Sequence, residues 1–159
     1  MRLRVGQGFD FHPMRPGRAL KLGGVTIPHD AGLVGHSDAD VAAHALANAI
    51  LGALGEGDLG RHFPDSDSRY KDADSLTLLT EVWKLASERG WRLVNADLTI
   101  VAQRPRLAPY VAVMRERLAA ALGAAPSLLN VKASSPEGLG ALGRGQGMSA
   151  AAVVLLEAD

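Results

Sequence analysis

The stretch GQGFDFHPM, residues 6–14, decides both the fold and the candidate site of this chain. In a β-strand, side chains alternate between the two faces, so Asp10 and His12 project from the same face. The two glycines share that face and leave the backbone bare. Pro13 cannot donate to a β-ladder and is expected to end the strand. A carboxylate and an imidazole therefore stand together, which predicts one half of a metal site.

The segment DVAAHALANAILGAL, residues 40–54, predicts the helix that completes this site. It has an apolar core stripe at helical spacing and a second stripe of polar residues. The polar stripe consists of Ser37, Asp40, His44 and Asn48. His44 can join Asp10 and His12 as a third ligand, and Asp40 can hold its other ring nitrogen. Three protein ligands leave one coordination position open, as in catalytic zinc sites. A histidine satisfied locally at the core edge is the alternative.

Composition narrows the possible functions. The 159 residues suffice for one domain with its own core, and a net charge of zero gives no basic field for nucleic acid. The chain has no cysteine, which excludes a disulfide framework, a thiolate zinc site and a cysteine nucleophile. No apolar run approaches the roughly 20 residues of a membrane span, and the N-terminus lacks an apolar signal core. These features predict a soluble, cytoplasmic protein that binds no membrane.

The remaining pattern predicts an α+β fold in a single domain covering residues 1–159. Strands are expected at 2–10, 91–103, 128–135 and 148–158, with a hairpin at 19–27. Helices are expected to begin near Ser37 or Asp38, at Ser75 and at Ala108. We expect one mostly antiparallel or mixed sheet with the helices layered on one face. The other face of the sheet would then be exposed in a single chain, and we expect partner subunits to bury it.

Two polar segments can bind anions. In GHSDAD, residues 35–40, His36 and Ser37 add donors to the free N–H groups of a helix start, although simple capping is the alternative. In KASSPEG, residues 132–138, the hydroxyls can hold phosphate oxygens and Glu137 suits a magnesium ion that also touches phosphates. For the second segment taken alone, a turn built from Ser, Pro and Gly is the alternative that the pattern favours.

Two further motifs are less informative. GLGALG, residues 138–143, matches the dinucleotide fingerprint, but the helix and distant acid that a Rossmann fold requires do not follow. AQRPRLAP, residues 102–109, joins a strand to a helix through a rigid loop whose backbone could hold a base edge. An ordinary strand-to-helix connection is the alternative.

Taken together and in order, these motifs resemble a known family. DFH, GHSDADVAAHA, GDLGRHFPDSD, AQRPR and KASSPEGLG followed by GRGQG are similar to the 2-C-methyl-D-erythritol 2,4-cyclodiphosphate synthases of the non-mevalonate isoprenoid pathway. The resemblance covers essentially the whole chain. It implies a homotrimer with active sites between subunits, and a metal-dependent, CMP-releasing lyase acting on 4-diphosphocytidyl-2-C-methyl-D-erythritol 2-phosphate.

The resemblance also implies roles for individual residues. Zinc, one ion per subunit, is expected on Asp10, His12 and His44, with a second divalent cation, magnesium or manganese, on Glu137. His36 and Ser135 are the expected catalytic residues. Asp10, His12, His36 and Ser37 are expected to face the diphosphate, and Asp58, Leu59, Gly60, Phe63, Pro64, Asp65, Ser66 and Asp67 the methylerythritol part. The cytidine and its phosphate are expected against Ala102, Gln103, Arg104, Pro105, Arg106, Leu107, Ala108, Ser134, Ser135, Pro136 and Glu137. Arg144 is expected to contact a ligand near the centre of the trimer, where Ala141 and Gln146 depart from the family's usual aromatic residue and glutamate.

Two other functions remain open from the sequence. A zinc-dependent phosphohydrolase of a nucleotide diphosphate could use the same three ligands with metal-activated water as the nucleophile. A trimeric scaffold with a structural metal is the non-enzymatic alternative, although three protein ligands are fewer than structural zinc sites use.

Overall fold

The computed structural model describes residues 1–159 and contains seven strands and five helices. The strands are β1 (Arg2–Pro16), β2 (Leu20–Leu22), β3 (Val25–Ile27), β4 (Ala31–Leu33), β5 (Arg92–Val101), β6 (Leu129–Ser134) and β7 (Gly147–Ala158). The helices are α1 (Val41–Leu54), α2 (Leu59–His62), α3 (Ser75–Glu88), α4 (Val111–Ala121) and α5 (Gly140–Gly143). No helix is both long and apolar enough to cross a membrane.

Five strands form one mixed sheet in the order β4-β1-β7-β5-β6, and β2 and β3 form a separate hairpin. Only β5 and β6 run parallel; the other pairs in the sheet are antiparallel. A cluster of 38 buried residues joins the inner face of the sheet to the helices. The predicted α+β architecture, with helices on one face of a mixed sheet, is confirmed.

The first strand extends further than predicted. β1 continues to Pro16 instead of ending at Pro13. At Pro13 the strand changes partner, because the register with β7 ends at Pro13–Gly147 and pairing with β4 starts at Met14–Leu33. The missing proline N–H falls at this change of partner, so no ladder bond is lost.

Helix α1 is the centre of the core. It starts at Val41 after Asp40, which is the N-cap, and not after the predicted Ser37 or Asp38. Twelve of its 14 residues are buried, including His44 of the predicted polar stripe. The polar residues of α1 therefore have to find partners inside the protein.

Glycines allow α1 to lie directly on β1. A Cβ atom added to Gly6 would be 1.9 Å from the carbonyl oxygen of Ala49, and one added to Gly8 would be 2.1 Å from that of Ala45. No side chain fits in that space, so the strand and helix meet backbone to backbone. This contact sets the distance between Asp10 and His12 on the strand and His44 on the helix.

The outer face of the sheet is apolar along β1. Leu3, Val5, Phe9 and Phe11 are between 53% and 70% exposed, and Val153 of β7 lies beside them. A contiguous surface of this kind is typical of a protein–protein interface.

Candidate metal centre and substrate cavity

Three side chains converge where the second half of β1 meets the first turn of α1. Asp10 Oδ2 lies 3.0 Å from His12 Nε2 and 2.9 Å from His44 Nδ1, and the two nitrogens are 3.3 Å apart. The three residues form a group whose ligand atoms all lie close enough to share one metal ion. The structure thus brings together the trio predicted from the sequence, with the N,N,O donor set that zinc accepts.

Each histidine of the trio is oriented through its other ring nitrogen. His12 Nδ1 donates to the carbonyl oxygen of Val34 at 3.0 Å. His44 Nε2 lies 2.8 Å from Ser75 Oγ and 3.1 Å from Ser37 Oγ. These partners direct His12 Nε2 and His44 Nδ1 toward Asp10, as the hydrogen-bond partners of ligating histidines do in metal sites.

The electrostatics of the trio favour a cation. Burial raises the pKa of the Asp10 carboxyl, but hydrogen bonds to His12 and His44 outweigh it and lower the pKa to about 2. Burial lowers the pKa of the His12 imidazole, but Asp10 outweighs it and leaves the pKa above its ordinary value. A permanently ionised carboxylate therefore lies between two imidazoles, in a site that suits a positive ion.

Asp40 does not hold His44, and the prediction that it would is wrong. Its carboxylate is fully buried and accepts hydrogen bonds from the backbone N–H groups of Gly23, Gly24, Ala42 and Ala43 at 2.7–3.1 Å. Burial raises the pKa of Asp40 against the opposing effect of these donors. Asp40 instead caps α1 and fixes the turn between β2 and β3 against it.

A cavity of about 460 Å³ opens beside the trio. Ten of the predicted residues line it: Asp10, His12, His36, Ser37, His44, Asp58, Leu59, Gly60, Phe63 and Asp65. Pro64, Ser66 and Asp67 belong to the same loop but are not among the lining residues. His36 Nε2 lies 3.4 Å from the carbonyl oxygen of Asp67, so the two predicted segments are in contact.

Four lining residues were not predicted: Gly35, Asn48, Tyr70 and Leu78. Asn48 stands on the polar stripe of α1, and its Oδ1 accepts the N–H of Leu59 at 2.8 Å, tying the loop to the helix. Tyr70 packs edge-to-face on Phe63 with ring centroids 5.1 Å apart. The stripe position of Asn48 was a usable signal, whereas nothing in the local pattern marked Tyr70.

A second cavity, of about 370 Å³, lies at the end of β5 and β6. It is lined by Ala102, Gln103, Arg104, Pro105, Arg106, Leu107, Ala108, Ala133, Ser134 and Ser135. The predicted cytidine loop and the two serines thus share one cavity, but that cavity has no residue in common with the one beside the trio.

Besides Pro64, Ser66 and Asp67, three predicted residues line neither cavity: Pro136, Glu137 and Arg144. Glu137 is exposed, has a φ of +52°, and donates its N–H to Ser135 Oγ at 3.0 Å. It is outside the group of metal-ligating side chains. Gln103 Oε1 accepts the N–H of Gly138 at 3.0 Å and so holds this turn against the cytidine loop.

A family model and a curated relative both match nearly the whole chain. The model of the YgbB family matches residues 3–157. The chain is 60% identical over 154 residues to the 2-C-methyl-D-erythritol 2,4-cyclodiphosphate synthase of Geobacillus kaustophilus, covering 97% of this chain and 98% of that protein.

Solved structures agree in fold. The bifunctional IspDF protein of Campylobacter jejuni superposes with a TM-score of 0.95 at 40% identity, covering 99% of this chain, which spans only 43% of that protein. A 2C-methyl-D-erythritol-2,4-cyclodiphosphate synthase in its CDP-bound form superposes with a TM-score of 0.89 at 36% identity, covering 97% of this chain and 100% of the other.

Proposed function

The chain belongs to the YgbB family, together with curated cyclodiphosphate synthases, and on that premise we propose its reaction. It converts 4-diphosphocytidyl-2-C-methyl-D-erythritol 2-phosphate to 2-C-methyl-D-erythritol 2,4-cyclodiphosphate and CMP. The observation that carries this proposal within the molecule is the convergence of Asp10, His12 and His44 beside a cavity. The protein is a lyase of the non-mevalonate isoprenoid pathway, and we place it in the cytoplasm.

We propose zinc as the ion held by the trio. Two neutral imidazole nitrogens and one carboxylate oxygen suit zinc, and the absence of cysteine leaves no thiolate to close the fourth position. Zinc bound there would fix and polarise a diphosphate oxygen of the substrate. A second cation, magnesium or manganese, is proposed for Glu137, whose exposed carboxylate leaves room for substrate phosphates as further ligands.

The reaction needs no protein nucleophile. An oxygen of the substrate's 2-phosphate forms a bond to the β-phosphorus of the CDP group. The bond from that phosphorus to the bridging oxygen breaks, and CMP leaves with the electron pair. The protein's task is to bend a flexible polyanion until the attacking oxygen, phosphorus and leaving oxygen lie in line. Such orientation can contribute roughly 7–11 kcal/mol.

Individual side chains are proposed to perform this task. His36 and Ser37 line the trio's cavity and would bind the diphosphate, with His36 stabilising charge in the transition state. The loop from Asp58 to Asp67 would enclose the methylerythritol part. In the second cavity, Ala102–Ala108 would hold cytosine by backbone contacts, and Ser134 and Ser135 would bind the phosphate of the departing CMP.

We propose that the complete active site forms between subunits of a homotrimer. One chain carries the diphosphate half-site and the cytidine half-site in cavities that share no residue. The exposed apolar face of β1 provides a surface that could bring a second copy into contact. The metal half of one subunit would then meet the cytidine half of its neighbour.

Turnover in heavy-oxygen water tests the reaction. Intramolecular transfer predicts that CMP and the cyclic diphosphate form with no label in either product, because no water enters the bond that is made. The phosphohydrolase alternative, which the relatives do not favour, predicts a labelled phosphate. Mass spectrometry of the products separates the two, and incorporation of label would overturn the proposal.

A further inference from the structure

The outer nitrogen of His44 is held by a serine from a different helix. Ser75, the first residue of α3, is 1% exposed, and its Oγ lies 2.8 Å from His44 Nε2. The helix begins at Ser75, as predicted, but its N-cap is Asp74, which accepts the N–H of Leu76 at 3.1 Å. The Ser75 hydroxyl is therefore free for another role, and it is directed toward the metal ligand.

The direction of the hydrogen bonds around Ser75 follows from Asp38. A carboxylate can only accept, so the Ser75 hydroxyl donates its proton to Asp38 in a short hydrogen bond. Its remaining lone pairs can then accept the Nε2–H of His44. With the proton on Nε2, the lone pair of Nδ1 is directed at Asp10 and the position of the ion.

Asp38 is itself fixed from three sides. It accepts the backbone N–H of Ser75 at 3.2 Å and that of Asp40 at 3.3 Å, and Lys21 Nζ lies 3.6 Å away. The lysine places a positive charge beside the carboxylate that accepts from Ser75. A chain of contacts thus runs from Lys21 through Asp38 and Ser75 to His44.

Ser37 is a weaker candidate for the same role. Its Oγ lies 3.1 Å from His44 Nε2 but also accepts the N–H of Ala39 at 3.2 Å. It also lines the substrate cavity, whereas Ser75 does not. Ser75 has no access to substrate and can act only through His44.

We propose that Ser75, oriented by Asp38, is a positioning residue for the metal ligand His44. Ser75 fixes the rotation of the imidazole and keeps its proton on Nε2, so that Nδ1 is presented to the ion. This inference rests on the proposed function, because it concerns the ion that the trio holds. In other metal sites, loss of such a partner weakens metal affinity by about 10–100-fold.

The test compares zinc affinity in the wild type, Ser75→Ala and Ser87→Ala by competition with a chelator. Ser87 lies on the same helix, is exposed, and donates only to the carbonyl oxygen of Lys84, so Ser87→Ala is the matched control. We expect zinc to bind about 10–100-fold more weakly to Ser75→Ala and with wild-type affinity to Ser87→Ala. Turnover of Ser75→Ala should recover in excess zinc.

Proton–nitrogen NMR of the zinc-loaded proteins gives a second readout. The Nε2–H of His44 should be protected from exchange in the wild type and lose that protection in Ser75→Ala, while the Nδ1–H of His12, bonded to Val34, should not change. If Ser75→Ala does not fold, Asp38→Asn takes its place. That variant removes the charge that orients the hydroxyl, and we expect a several-fold loss of zinc affinity.

The outcomes separate the two proposals. Two results would overturn the positioning role and leave the proposed function intact. One is wild-type zinc affinity together with unchanged exchange protection of the His44 Nε2–H in a folded Ser75→Ala variant. The other is wild-type zinc affinity in Asp38→Asn. A wild-type protein that binds no zinc would overturn both.

Discussion

The character of the metal centre is set by individual nitrogen and oxygen atoms. His12 and His44 use opposite ring nitrogens toward Asp10, Nε2 in the first and Nδ1 in the second. The difference arises because a strand residue and a helix residue approach the same point from different directions. In each ring the other nitrogen is held by the protein, so the trio is organised before an ion arrives.

Replacing His44 should remove the metal and weaken the fold. Since the His44 side chain is only 9% exposed, His44→Ala leaves a small cavity and removes a buried hydrogen-bond partner from Ser75. We expect loss of bound zinc and about 1–3 kcal/mol less stability of the metal-free protein.

Elemental analysis and urea denaturation check this outcome. His29→Ala is the control, because His29 Nε2 lies 3.4 Å from Asp30 Oδ1 and the residue is outside the trio. A His44→Ala variant that retained one zinc ion per subunit would refute the assignment.

The pH dependence of stability should change sign with the metal. In the metal-free protein the raised pKa of His12 means that its protonated form adds stability. This contribution is complete below the unfolded value of about 6.5 and is lost as pH rises through the raised pKa. Zinc needs the neutral imidazole, so zinc-dependent stabilisation should grow over the same range.

Melting curves from about pH 6 to about pH 9, with and without zinc, measure this effect. The melting temperature of the wild type minus that of His12→Gln should fall with pH without metal and rise with pH when zinc is present. Parallel pH profiles with and without zinc would contradict the coupling between His12 and the ion.

At the scale of secondary structure, the contact between β1 and α1 positions the site. Gly6 and Gly8 let the strand touch the helix backbone, and Asp10 and His12 follow on the same face. The glycines therefore fix how close Asp10 and His12 lie to α1. A change at Gly8 should disturb both stability and metal binding.

Gly8→Ala should be strongly destabilising. The new Cβ would lie 2.1 Å from the carbonyl oxygen of Ala45 and 2.6 Å from the nitrogen of Ala49, and both are backbone atoms that cannot rotate away. Separating β1 from α1 disrupts the core, and we expect a loss of more than about 3 kcal/mol or no folded protein.

Gly52→Ala is the matched control on the same interface. Its Cβ would be 3.4 Å from the carbonyl oxygen of Gln7, an ordinary contact, and alanine favours a helix interior by up to about 1 kcal/mol. In chemical denaturation, Gly8→Ala should be less stable than the wild type and Gly52→Ala more stable. Equal stability of Gly8→Ala and the wild type would show that the close contact does not position the strand.

Strand and helix periodicity in the sequence is sufficient to predict part of the metal centre. Strand alternation placed Asp10 and His12 together, and helical spacing placed His44 on a polar stripe, so the trio was predictable. The partners of Asp40 and His44 were not, because the β2–β3 turn and the start of α3 reach them through tertiary packing. The apparent polar stripe is buried by elements distant in sequence, which helical periodicity alone does not reveal.

At the level of the whole molecule, one chain presents two separate cavities, which we propose are half-sites, and an exposed apolar face. The trio's cavity lies beside the second half of β1, and the cavity proposed for cytidine lies at the ends of β5 and β6. Neither has the residues to bind the proposed substrate from end to end. Assembly of several copies would meet this need and also cover Phe9 and Phe11.

Mixing two inactive variants tests the assembly. Asp10→Asn damages only the metal half-site and Ser135→Ala only the cytidine half-site. If sites form between subunits, refolding the two together should restore about one quarter of the sites, since an interface is intact only when each side contributes its undamaged half. The CMP-release assay should stay at the background of the separate variants if each site lies within one chain.

The proposed metal centre is tested most directly by a crystal structure of the zinc-soaked protein, with data collected at the zinc absorption edge. We expect one anomalous peak per subunit, about 2.0–2.1 Å from His12 Nε2 and His44 Nδ1 and in contact with Asp10, with a fourth position open to solvent or diphosphate. A zinc ion located elsewhere, or one enclosed by a fourth protein side chain, would contradict it.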